Sequence, residues 1–140
     1  MFNGCSSLTS APELPATNLA YECYKCMFQD CTSLTSAPEL PVTNLAHSCY
    51  YGMFYGCSSL VNAPELPATN LAEDCYSYMF ADCTSLTSVN VGFTNWSSNG
   101  TYDWFYNVPS VGTFVCPEEL PIQYGKSYIP NGWTVKTFKL

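Results

Sequence analysis

Arginine is absent from this chain, and lysine occurs only four times, which against eleven carboxylates leaves a net charge of −7. Without clustered cations a surface cannot release counterions from phosphates, so no nucleic-acid partner is expected. Attraction to an anionic bilayer fails for the same reason. No run of about 18 apolar residues is present, so no membrane insertion is expected, and no secretion signal is legible. Charged residues make up 11% and hydrophobic ones 47%, an uncharged surface for one soluble domain of this length. Catalytic signatures are missing too: there is no GxSxG, HExxH, P-loop or GxGxxG. The single histidine, His47, stands where sister segments carry Tyr21 and Glu73. It reads as an exposed variable position, not as the partner of a cysteine nucleophile. The expectation is a non-enzyme with no cofactor, no metal and no catalytic residue.

What the chain does contain is repetition. Met1-Phe2, Met27-Phe28, Met53-Phe54 and Met79-Phe80 recur at 26 residues, as do Leu8, Leu34, Leu60 and Leu86. Each unit reads MFxxCxSLxxAPELPxTNLAxxCYxx. A fixed period of this size signals units that bury their apolar faces against one another. Leu8, Ala11 and Leu14 point inward from a short extended segment, and Pro12 and Pro15 deny it a long hydrogen-bonded strand. Thr17 or Asn18 then caps an expected short helix with Leu19, Cys23 and Phe28 inward. Gly4, Asp30, Gly56 and Asp82 precede one column of cysteines, where a tight turn calls for a left-handed residue. In the fourth unit Leu86 to Phe93 drops the prolines and reads as a better strand. Trp104 to Val111 then aligns with Met79 to Leu86 as a degenerate fifth unit, with Tyr102 placed after Tyr76 and Thr101 after Cys75. Residues 1–111 are read as the repeat array and 112–140 as a cap ending in a strand or hairpin. The array opens in mid-repeat, which suggests a fragment or an array that stacks on something else.

The motif MFxxCxxL (Met27, Phe28, Cys31, Leu34) and the LP that follows it (Leu14-Pro15, Leu40-Pro41, Leu66-Pro67) resemble the BspA-like leucine-rich repeats of bacterial surface proteins. The repeat is longer here, and APEL replaces the usual β-branched strand residues, so strand content is expected to be low. The resemblance implies an α/β solenoid: a leucine-rich-repeat-like, right-handed coil stack with short strands, short helices and a C-terminal β cap. It also implies an extracellular or cell-surface location.

Three constellations offer chemistry. Two cysteine columns, Cys5, Cys31, Cys57 and Cys83, and Cys23, Cys49 and Cys75, admit a metal site, disulfides such as Cys23 to Cys31, or buried thiols packing as small hydrophobes. The columns end in Val108 and Thr101, which favours packing, with at least six of the seven thiols reduced and buried. Glu13, Glu39 and Glu65 form a carboxylate ladder, either a contact surface or a glutamate copied with its repeat. Tyrosines crowd one side. Tyr24, Tyr50, Tyr76 and Tyr102 read as a packing column, and Tyr21, Tyr51, Tyr55 and Tyr78 as contact candidates. The expected function is a non-catalytic binding or adhesion module for a protein or glycan ligand. The alternative is a structural spacer or fibre segment stacking end to end, with a homo-oligomer formed through an open N-terminal coil.

Overall fold

The computed structural model describes residues 1–97 and 99–140. Three strands are present, β1 (Ser88–Asn90), β2 (Thr113–Pro117) and β3 (Thr134–Phe138). They pair in parallel in the order β1-β2-β3. No helix occurs among the described residues, which overturns the expected α/β solenoid with short helices. Of the strand or hairpin expected for the closing segment, it is a strand, parallel to β2.

The backbone from Tyr21 to Cys31 shows why no helix forms. The N–H groups of Cys23, Lys25, Met27, Gln29 and Cys31 donate to carbonyls three residues back, at 3.1–3.2 Å. The alternate N–H groups of Glu22, Tyr24, Cys26, Phe28 and Asp30 donate instead to His47, Cys49, Tyr51, Met53 and Tyr55 of the next unit, at 2.7–3.1 Å. An α-helix spends every interior N–H on its own segment. Here half of them tie one unit to the next.

The turn geometry is set by a residue with positive φ at every fourth position. These are Glu22, Cys26 and Asp30, then Ser48, Gly52 and Gly56, then Asp74, Tyr78 and Asp82. Each interrupts right-handed helical backbone, and for a residue bearing Cβ it costs about 1–2 kcal/mol. The third position of each set holds only Asp or Gly, the types that tolerate this region best. Gly4, Asp30, Gly56 and Asp82 are all left-handed, as the sequence led one to expect.

On the opposite side the prolines keep the units apart. The described residues there form only isolated bridges before β1, such as Ser10 to Ser36 and Asn62 to Ser88. Two aromatic stacks fill the interior. Phe2, Phe28, Phe54, Phe80 and Phe105 lie 5.5–5.9 Å apart, each pair within 13° of parallel. Tyr24, Tyr50 and Tyr76 repeat at 6.1 Å. Leu34, Leu60 and Leu86 are fully buried beside them.

The inter-unit step shortens by one residue late in the array: Asp74 donates to Asn99, but Tyr76 donates to Gly100. Thr101 therefore sits at the register of Tyr76, and Tyr102 leaves the expected packing column. Trp104 takes the vacated place, stacked 6.0 Å from Tyr76. The tryptophans then tie the last segment down. The indole N–H groups of Trp96, Trp104 and Trp133 donate to the carbonyls of Pro121, Tyr128 and Pro109.

Gly56 has φ +76°, and a Cβ there would meet the Asp30 carboxylate. Gly56→Val should therefore cost about 2 kcal/mol in urea denaturation, because a β-branched residue is a strained occupant of this region. Asp82→Gly should stay within about 1 kcal/mol of wild type. Far-UV circular dichroism should lack a helical signature. Wild-type stability of Gly56→Val would count against the left-handed ladder.

Candidate functional site

Positive φ at Tyr78 turns its side chain outward from the ladder among neighbours from the adjoining units. Its ring centroid lies 5.4 Å from Tyr51, 6.5 Å from Tyr55 and 5.6 Å from Tyr102, at angles of 57°, 43° and 72°. Tyr102 and Tyr106 are each half exposed. The Lys25 ammonium lies 5.3 Å above Tyr51 and the Lys126 ammonium 5.9 Å above Tyr106, marking two cationic edges. Partial burial raises the phenol pKa of Tyr51, Tyr55 and Tyr78, so the hydroxyls stay neutral donors. Three of the four contact candidates thus converge. Tyr21 does not join them; it is 65% exposed and stacks on His47 at 5.0 Å. Tyr102, assigned to packing from the sequence, belongs to this surface. The signal that could have placed it was the one-residue shortening of the fourth unit, from Met79 to Asp103.

Glu13, Glu39 and Glu65 are exposed. They line shallow grooves between successive APELP segments, of about 370 Å³ between the first and second units and 300 Å³ between the second and third. A third groove, about 390 Å³, joins Glu65 to Phe138 at the end of β3. Proline and leucine side chains form their walls, and none of the clustered tyrosines lines them.

All nine cysteines are free thiols. Cys31, Cys49, Cys57, Cys75 and Cys83 are buried, but Cys5 and Cys23 are exposed, so burial covers five of the seven columnar thiols, where at least six were expected. The first column does more than fill space. Cys31, Cys57 and Cys83 donate S–H to the carbonyls of Phe2, Phe28 and Phe54 in the preceding unit, at 3.0–3.1 Å. The Phe28 carbonyl also accepts from the Cys31 N–H, so each carbonyl joins two units. Burial pushes Cys49 up to about 11 and Cys57 and Cys75 up to about 12. Such thiols are poor nucleophiles and poor metal ligands.

His47 is less isolated than the sequence implied. Its Nδ1 lies 3.0 Å from the Ser48 hydroxyl and its Nε2 3.6 Å from a Glu73 carboxylate oxygen. This string has the composition of a hydrolase triad, but two features set it apart from one. Ser48 is 4% exposed. The backbone donors that would receive an oxyanion are already spent, Ser48 N–H on Glu73 and Cys49 N–H on Ala46. His47, Glu73 and Asp74 do bring one ligand atom each to within 4.8 Å of one another. No helix among the described residues is long and apolar enough to cross a membrane. Comparison with family models, with curated proteins and with solved structures found no match.

The buried thiols carry a pH dependence. Unfolded, they lose protons near pH 9; folded, Cys49, Cys57 and Cys75 hold them to about 11 or 12. Their contribution to stability is therefore complete below pH 9 and lost as pH rises through that window, at up to about 1.4 kcal/mol per pH unit per thiol. The urea midpoint should fall steeply above about pH 9, and Cys57→Val should make the fall shallower. A midpoint flat across this range would rule out the ladder of protonated thiols.

Proposed function

We propose that the chain is a non-catalytic, extracellular binding module that docks a partner protein on the surface formed by Tyr51, Tyr55, Tyr78 and Tyr102. The motif resemblance to BspA-like surface proteins is consistent with that role and supplies the location. The observation that carries the reading is the convergence of these rings from three successive units. Tyrosine offers large, stiff contact area with a polar tip, which is why it dominates binding hot spots. The rings are tilted against one another, giving a corrugated surface. The Lys25–Glu22 and Lys126–Asp103 pairs at the edges give the apolar centre a polar rim of both signs.

The test is a binding screen against purified extracellular and cell-surface proteins, with a glycan array alongside. A protein hit should weaken by roughly 2 kcal/mol in Tyr78→Ala or Tyr102→Ala. Tyr21→Ala, away from the cluster, should change it little. A glycan-only hit, or a protein hit indifferent to Tyr78, would overturn the assignment.

A further inference from the structure

We propose that His47, Glu73 and Asp74 form a surface site for one divalent transition-metal ion of the zinc class. Tyr21, His47 and Glu73 are successive occupants of one column, and Glu22, Ser48 and Asp74 of the next. Only at the junction of the second and third units does this register set an imidazole against two carboxylates.

The three ligand atoms lie within 4.8 Å of one another, with His47 Nε2 and Glu73 Oε2 at 3.6 Å. Ligands around a tetrahedral zinc stand about 3.3 Å apart for bonds near 2.0–2.1 Å. Closing the set thus asks for small movements of side chains that are partly solvent-exposed.

The ring is held in place by groups outside the donor set. Ser48 Oγ sits 3.0 Å from Nδ1, so it can accept the N–H that fixes a metal-bound imidazole's tautomer, a task usually given to a carboxylate, carbonyl or water. Tyr21 stacks on the ring face at 5.0 Å. Asp74 is oriented by the Ser77 hydroxyl, which donates to its Oδ1 at 2.9 Å. Among the described residues no lysine forms an ion pair with either carboxylate, whose one ion-pair contact is His47 to Glu73. Imidazole with carboxylates selects zinc-class ions over calcium, which wants six to eight oxygens. Three protein ligands leave a fourth position for water or for a partner's side chain.

His47 is the only histidine, so its imidazole proton resonances are an unambiguous reporter. The experiment titrates zinc chloride into the full chain carrying Cys5→Ser, Cys23→Ser and Cys26→Ser, which removes the accessible thiols. The two imidazole resonances should shift with saturation at one equivalent. Glu73→Gln and Asp74→Asn should each weaken binding tenfold or more; asparagine suits the left-handed backbone at position 74. Imidazole signals unmoved by millimolar zinc would overturn the site. So would equal affinity in the wild type and both carboxylate variants, which would mark a lone surface imidazole.

Discussion

The structure depends on the alternation of backbone donors along the turn side of each unit. One N–H closes a turn on its own unit and the next reaches the adjacent unit. Neither set suffices alone. Without the turn bonds the segment would have no reason to bend every fourth residue, and without the inter-unit bonds the left-handed residues would carry their cost uncompensated. Glu22, Cys26, Ser48 and Tyr78 are unfavourable occupants of positive φ. They are tolerated because each sits at a position whose N–H is committed to a neighbouring unit. Stability is therefore a nearest-neighbour property, as it is in other stacked repeats.

The repeat and its phase were legible because they are matters of spacing. The left-handed column at Gly4, Asp30, Gly56 and Asp82 was legible because it holds only residues that prefer that backbone. The other two columns carried no such mark. Glutamate, cysteine, serine and tyrosine at positions 22, 26, 48 and 78 are ordinary in a helix, and the pattern Leu19, Cys23, Phe28 imitates a helical face. Competition between a helix and a ladder bonded to the next unit is decided by partners 25 residues away, which local propensity does not see. The tyrosine surface was legible in Tyr51, Tyr55 and Tyr78 and lost at Tyr102, because counting by 26 overshoots where the step shortens. His47 was discounted for being variable, although its neighbours across the junction give it its chemistry.

The cysteine columns illustrate how a repeat selects a side chain for two properties together. A valine is apolar as well, and Val108 holds the column's position at the fifth unit. A valine cannot donate, however, whereas the thiols of Cys31, Cys57 and Cys83 each reach a phenylalanine carbonyl one unit back. A serine would donate more strongly, but it would put a hydroxyl into a wall of phenylalanine and leucine, where its desolvation costs more. The thiol is the compromise: apolar enough to bury and polar enough to satisfy a second lone pair on a carbonyl already bonded to its own unit.

These constraints sort the chain into copied and uncopied positions, and the sorting locates function. Copied residues are those the ladder needs: Phe and Leu in the stacks, Cys beneath the carbonyls, Asp or Gly at the tightest turn. Glu13, Glu39 and Glu65 are copied without any such structural task, and they rim proline-walled grooves that differ little from unit to unit. The turn side is different. Its outward positions carry Tyr21, His47 and Glu73 in one column, with backbone held fixed while side chains vary. A rigid array with variable outward positions presents chemistry in a defined register without disturbing its core. In this chain the tyrosine cluster and the His47, Glu73 and Asp74 set both lie where successive units differ, and each needs side chains from more than one unit. The recognition proposed above would consequently be a property of the junctions between repeats, and no single repeat would hold it.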